Sequence, residues 1–374
     1  MKIVVDDKIP FIRGVLEPFS EVIYASGARI DSRLVRDADA LLVRTRTICD
    51  ETLLDGSNVR FIGSATIGYD HIDTGYCENH DIAWTNSPGC NSSSVMQYVV
   101  SALCFISDNS GFSLKNRTLG IVGVGNIGSK VEKAAKALGM HLLLRDPPRS
   151  RVEPGFSSVP FERLLRESDI VTLHVPLNRS GKDKTYHLLD ARSLGMMKRG
   201  AWLINSSRGE VVDTRSLKKA VFSGNLSGVV LDVWENEPDI DLELMEAALI
   251  STPHIAGYSL DGKANGTAYV VNSLARHFGL PLGNWYPGNI PLPASGRLEI
   301  PVVDAPCEEA IKEVVRSVYA IVGDSDRLKK APSTFESLRG NYIVRRDFSA
   351  YTVAAEKIGR DVAKVLEGLG MRVI

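Results

Sequence analysis

The sequence is short of several features that would each point to a particular kind of protein. Cysteine is scarce: five in 374 residues, and none of Cys49, Cys77, Cys90, Cys104 and Cys307 forms a C-x-x-C pair. An odd, scattered set gives neither a disulfide framework nor a thiolate metal knuckle. The thiols read as small apolar residues of a reducing, cytoplasmic compartment, and no metal site is expected. An excess of either charge is missing too, with 44 Lys and Arg against 45 Asp and Glu. That balance supplies neither a basic stripe for nucleic acid nor a polybasic membrane segment, so no partner of either kind is expected. No stretch approaches the roughly 20 apolar residues of a membrane span. The opening MKIVVDDKIPF ends its short apolar run in two aspartates and does not read as a signal peptide. Internal repeats and low-complexity tracts are also lacking.

What remains is an ordinary globular composition, 44% hydrophobic and 24% charged, over a length that suggests two or three domains. Short buried-strand patterns stand at Lys2–Asp6, Ala40–Val43 and Arg60–Ser64, with Asp-capped helical stretches between them at Asp31–Arg36 and Asp50–Leu54. Asn91–Ile106 predicts a long helix. Thr118–Val124 then starts a second alternation, with strands expected at His141–Arg145, Ile170–Val175, Ala201–Asn205, Gly228–Val233 and Leu249–Ser251. Strands alternating with helices imply parallel sheets covered on both faces. Leu280–Pro301 is rich in Pro and Gly and reads as a linker. Beyond it, helices are expected at Glu308–Val322 and within Asp347–Gly368, with a possible strand at Asn341–Val344. The expected fold class is α/β: two doubly wound parallel-sheet domains of the Rossmann or flavodoxin-like kind, plus a small C-terminal α+β domain.

Two groups of residues carry chemistry. Gly123-Val-Gly125-Asn126-Ile127-Gly128 follows an expected strand and opens an expected helix. Such glycines permit a tight turn, a close approach of backbone to a pyrophosphate and close helix–strand packing, and the helix N-terminus faces the phosphates. Eighteen residues on, the strand HLLLRD ends in Asp146, where a carboxylate can meet the adenosine ribose hydroxyls. That favours NAD over NADP, a preference that the adjacent Arg145 weakens slightly.

The second group follows three later strands: Arg208 in NSSRG, Asp232, Glu235 and Glu237 in LDVWENEP, and His254 in TPHIAG. All stand at C-terminal strand ends, where open α/β sheets place their ligands. A guanidinium can grip a carboxylate, an imidazole can exchange a proton with a hydroxyl, and a neighbouring carboxylate fixes the imidazole tautomer and raises its basicity. The other histidines, His71, His80, His141, His174, His187 and His277, lack a matching motif and read as structural or exposed.

In this order the motifs resemble the D-2-hydroxyacid dehydrogenase family. The resemblance implies that Arg208 binds the substrate carboxylate, that His254 is the general acid/base and that Glu237, the acid just before Pro238, is its partner. It implies NAD as cofactor, with Asp232 near the nicotinamide carboxamide and with Val175, by backbone alone, and Gly257 in contact with it. Further stretches, KIVVDDKIPF, GSATIGYDHID, SPGCN and HIAGYSLDGKANGT, resemble a branch of that family acting on a small phosphorylated 2-hydroxy acid. By that likeness Thr45, Thr66 and Tyr258 touch substrate, and the segment beyond about residue 290 makes a homodimer. Arg44, with Arg46 or Lys263, is the candidate for the phosphate, although each could equally be a solvated cation. The domains implied are 1–95 with 256–285 for substrate, 96–255 for NAD and 286–374 for dimerisation. An enzyme of the same family with another substrate, or a non-enzymatic NAD(H)-sensing protein on this fold, stays open on the sequence.

Overall fold

The structure, a computed structural model, describes residues 1–298, 307–342, 345–354 and 359–374. It divides into two compact units, Met1–Asn91 with Ser259–Pro291, and Ser92–Tyr258 with Leu292–Ile374.

The first unit holds a five-stranded parallel sheet: β1 (Lys2–Asp6), β2 (Glu21–Ala25), β3 (Ala40–Val43), β4 (Phe61–Ser64) and β5 (Ala83–Thr85), in the order β2-β1-β3-β4-β5. β3 and β4 are buried at every position, as strands covered on both faces must be. The order reverses at β1, which lies between β2 and β3, so the switch point sits at the C-terminal end of β1. The short helices Ser32–Val35 and Glu51–Leu54 start where Asp31 and Asp50 accept the N–H groups of Leu34 and Leu53. Each such cap contributes about 1 kcal/mol. Helix Leu260–Phe278, capped by Ser259, lays Val270, Val271 and Leu274 onto one face of the sheet with Ile3, Val5 and Leu42.

The second unit is built on six parallel strands: β6 (Thr118–Val122), β7 (His141–Arg145), β8 (Ile170–Leu173), β9 (Ala201–Asn205), β10 (Leu226–Leu231) and β11 (Ile250–Ser251), in the order β11-β10-β9-β8-β6-β7. Here the reversal falls at β6, directly before the glycine loop. The long helix runs Ser92–Ser110 and is buried along most of its length.

The C-terminal segment adds a three-stranded parallel sheet, β12 (Arg297–Leu298), β13 (Thr352–Val353) and β14 (Arg372–Val373), and helices that share the core of the second unit. Ala310, Ile311, Val314 and Val315 pack with Val95, Tyr98, Val99 and Leu103 in one cluster, which is why this segment groups with Ser92–Tyr258 instead of standing apart. The expected helix Glu308–Val322 is two helices, Cys307–Val318 and Ile321–Lys330. Tyr319 is buried at the break, and Ser325 on the second helix accepts the N–H of Ser251 in β11. Of the helix expected within Asp347–Gly368, Arg360–Gly368 is helical, and 355–358 lie outside the described residues. Of the possible strand Asn341–Val344, the last two residues lie outside the described residues, and Asn341 and Tyr342 are not strand. No helix among the described residues is long and apolar enough to cross a membrane.

Candidate active site

The glycine loop follows β6 and enters helix Gly128–Ala137. Gly123 has φ +88, and a side chain there would strike the carbonyl of His174; one at Gly128 would strike the carbonyl of Gly123. Around Gly125, by contrast, an added Cβ would meet nothing within 4 Å. The loop is therefore tight where it turns and open where a pyrophosphate would approach. Ile127, at the helix N-cap, offers no side-chain acceptor, and the N–H groups of Ser129 and Lys130 turn instead to the backbone carbonyls of Gly125 and Ile127, at 3.0 and 2.9 Å. Asp146 closes the other side: its Oδ2 accepts the N–H of Val124 at 2.8 Å and its Oδ1 that of Arg149 at 2.8 Å. Arg145 turns away, over the Phe161 ring and onto the carbonyl of Val159. Arg149, which does lie beside Val124, is held by Glu153. Val175 sits against Gly123, where only backbone is available for hydrogen bonding. These residues fit a dinucleotide: an open cradle, a helix terminus and a carboxylate on one rim.

The later strand ends converge on His254. Its Nδ1 lies 2.7 Å from Glu237 Oε2, while Glu237 Oε1 accepts the N–H of Trp234 at 3.0 Å. Burial pushes the Glu237 carboxyl up, but the His254 bond and charge, the Trp234 N–H and the charge of Arg339 outweigh it and leave it below its ordinary value. It is thus an anion, able to hold an imidazolium. Glu235, the rival acid, bonds a different ring, His187 Nε2, at 2.7 Å, so the two glutamates are separated by partner as well as by position. With Asp213, His187 and Glu235 form the one grouping among the described residues whose ligand atoms lie within 4.8 Å of one another.

His254 itself has φ +56, a left-handed backbone that an ordinary residue holds only under constraint. Asp232 and its own backbone supply that constraint. The Asp232 carbonyl accepts the N–H of His254 (2.7 Å), Oδ1 accepts those of Ile255 (2.8 Å) and the Thr252 hydroxyl (2.6 Å), and Oδ2 accepts that of Ala256 (2.9 Å). Burial raises the Asp232 carboxyl above its usual range despite these donors. The resemblance implies a cofactor contact for Asp232; its bracing of the histidine loop carries no sequence signal. Thr252, also bonded to the Tyr98 hydroxyl at 2.7 Å, and Trp234, whose Nε1 donates to the Thr252 carbonyl at 3.0 Å, belong to the same brace, and neither carries a sequence signal for it.

Arg208 stands at the start of the 3₁₀ turn Gly209–Val211, its Nη1 on the carbonyl of Ser207 at 2.8 Å. Gly209 packs directly against the Trp234 backbone, which ties the arginine loop to the strand end carrying Glu237. Gly257 and Tyr258 follow the braced loop, half-buried.

In the first unit, Thr66 lies just past β4, its hydroxyl bonded to Ser64 (2.8 Å) and to the Gly68 carbonyl (3.0 Å). Ser64 in turn meets His71 Nε2, a buried imidazole whose basicity burial lowers, in keeping with a structural role. Thr45 and Arg46 are exposed on the turn after β3. Arg44 and Lys263 come near enough to interact: burial first, and then the Arg44 charge, press the Lys263 ammonium below its ordinary value. Two cations that disfavour one another are a fitting place for an anion.

Comparison with known proteins agrees with this geometry. The family model of the D-isomer specific 2-hydroxyacid dehydrogenase NAD binding domain matches residues 100–256, and a domain of unknown function (DUF3410) matches 292–370. The erythronate-4-phosphate dehydrogenase of Bacteroides fragilis is 47% identical over 96% of this chain and 100% of its own length. That of Porphyromonas gingivalis is 40% identical over 99% of both. The crystal structure of D-lactate dehydrogenase from Aquifex aeolicus, complexed with NAD and lactic acid, matches with a TM-score of 0.63 at 27% identity, covering 76% of this chain and 98% of that one. The molecule is thus an NAD-dependent dehydrogenase of the D-isomer specific 2-hydroxyacid class. Within that class the chain belongs to the erythronate-4-phosphate dehydrogenase family.

Proposed function

We propose that the protein oxidises the C2 hydroxyl of 4-phospho-D-erythronate, giving 3-hydroxy-2-oxo-4-phosphooxybutanoate, as a step of pyridoxal 5′-phosphate biosynthesis. The observation that carries the reading is the His254–Glu237 pair at 2.7 Å in the unit that holds the dinucleotide cradle, in a chain 47% identical to an erythronate-4-phosphate dehydrogenase. His254 uses Nε2 to take the hydroxyl proton as C2 becomes a carbonyl. Glu237, on Nδ1, fixes the ring so that Nε2 is the free base and then stabilises the imidazolium. Arg208 grips the C1 carboxylate bidentately and holds C2 in place. NAD, when bound by Gly123, Gly125, Asn126, Ile127, Gly128 and Asp146, with Val175, Asp232 and Gly257, supplies the acceptor for the hydride leaving C2. Thr45, Thr66 and Tyr258 give the substrate hydroxyl partners, and Arg44 with Lys263 takes the phosphate.

The five cysteines, all unpaired, fit a cytoplasmic compartment. The segment 292–370 is the proposed homodimer contact, and sedimentation of the intact chain tests it: a monomer at micromolar concentration rejects it.

The assay that decides the substrate follows NADH formation with 4-phospho-D-erythronate beside 3-phospho-D-glycerate and D-lactate, with a 2-keto acid acceptor in a parallel run. Preference for the four-carbon phosphate is expected. Preference for another acid keeps the chemistry and removes the substrate; NADH binding without any turnover removes the enzyme reading.

A further inference from the structure

Three side chains of the C-terminal segment close on the stretch after His254, and the reaction derived above uses none of them. Arg345 is buried, and its Nη2 donates to the carbonyl of Ala256 at 2.6 Å, with that of Ile255 at 3.5 Å. Its guanidinium lies 4.1 Å over the Tyr319 ring. Tyr342 gives its hydroxyl to Asp324 at 2.6 Å and sets its ring edge-on to Tyr258, centroids 6.2 Å apart at 72°. Arg339, on helix Phe335–Gly340, holds its Cζ 5.9 Å from the centre of the Tyr258 ring. Its Nε is buried with no hydrogen-bond partner among the described residues, so the side chain is drawn inward and is not a cation simply extended into water.

Chain order matters here. His254, Ile255, Ala256, Gly257 and Tyr258 are consecutive; Asp232 braces the first three through their N–H groups, and Arg345 takes the carbonyls of the second and third. The Tyr258 side chain lies beyond that brace. The ring contacts described above, one on its edge from Tyr342 and one from Arg339, both come from the C-terminal segment. A tyrosine held at two points is ordered before substrate arrives, and that ordering is not then repeated at each binding event.

We propose that the C-terminal segment is a working part of the catalytic site of its own chain, and that Arg339 is the positioning residue through which it sets Tyr258 for the anionic 2-hydroxy acid. This gives the segment matching the domain of unknown function a role separate from subunit contact. It rests on the reading of Tyr258 as a substrate contact.

A double-mutant cycle tests it on the intact chain. R339Q raises KM for the acid that the wild type turns over by about three- to tenfold, the cost of reordering one side chain, while kcat stays within about twofold. NADH affinity, measured by fluorescence titration, is unchanged and certifies the fold. Y258F raises KM by a similar or larger factor, and R339Q/Y258F is no worse than Y258F alone, because Arg339 acts through Tyr258. Multiplying losses in the double variant, or an unmoved KM in R339Q beside a raised KM in Y258F, overturns the inference and leaves the proposed function standing. An unmoved KM in Y258F removes Tyr258 from the substrate and so defeats the reading beneath it. If R339Q does not fold, R339H enters the same cycle with the same outcomes.

Discussion

The turn after β3, with Thr45, and the loop after β11, with His254, both leave the C-terminal ends of parallel strands, and they are built in opposite ways. Around His254, three successive N–H groups, a hydroxyl and an imidazole are each given a partner on Asp232 or Glu237. On the other turn, Thr45 and Arg46 are exposed, and Arg44 makes one long bond, 3.3 Å, to the carbonyl of Lys8. Thr47 anchors it through a buried hydroxyl 3.0 Å from the Gly27 carbonyl. The contrast suits the roles proposed above. Proton transfer loses rate steeply when a base is displaced by an ångström, so its loop is over-determined. A phosphate is large, hydrated and charged, and long cationic side chains can adapt to it.

The most severe way to break the comparison is to remove the base. His254→Asn is expected to lower kcat by about 10³-fold or more while NADH still binds, read by steady-state rates beside a fluorescence titration. Retention of most of the activity would end the assignment. Next is Glu237→Gln, which keeps an acceptor for the Trp234 N–H but loses the anion. A loss of about 10²-fold in kcat is expected. The acid limb of kcat/KM for oxidation should move to lower pH, because protonating the ring becomes harder once the negative charge is gone. A stationary limb argues that Glu237 serves only to orient.

Smaller is the effect expected on the open side. Arg44→Ala should raise KM for the phosphorylated acid about tenfold and leave an unphosphorylated 2-hydroxy acid almost unchanged. Equal losses on both would take Arg44 off the phosphate. The smallest effect is one of stability. Burial holds the His174 imidazole, behind the glycine loop, down at about 3 from 6.5. A depressed histidine stays neutral when folded but binds a proton when unfolded, so the stability present above pH 6.5 is lost as pH falls toward 3. The slope is at most about 1.4 kcal/mol per pH unit. Urea melts at pH 7 and 5 should differ by up to about 2 kcal/mol, and the difference should shrink in His174→Asn. Equal slopes in the two proteins would reject the account.

Much of this was legible in the sequence where local pattern and burial agree. β1, β3 and β9 lie where the apolar runs place them, since strands covered on both faces must be continuously apolar. β2 and β5 give a weaker signal than β7, an edge strand too but with the run HLLL: EVIYA is half-exposed and broken by a leading glutamate, and AWT is three residues long. The glycine loop and the His254–Glu237 pair were legible because each role demands particular residue types at fixed spacing. The brace from Asp232 and the contacts of Arg339, Tyr342 and Arg345 were not. Those contacts join residues some 80 to 90 positions apart, for example Arg345 and Ala256, and an arginine that will be buried looks in a sequence like any surface cation.

The left-handed backbone at His254 has a consequence for anyone who would improve the protein. The conformation is one that glycine adopts freely, so His254→Gly should relieve backbone strain on the order of 1 kcal/mol. The same change removes the ring that Glu237 holds at 2.7 Å, so a selection for heat resistance would weigh the relaxed backbone against a half-buried carboxylate left without its partner. Backbone and side chain thus make opposite demands at one position: the first suits a glycine, the second keeps the histidine proposed above as the base.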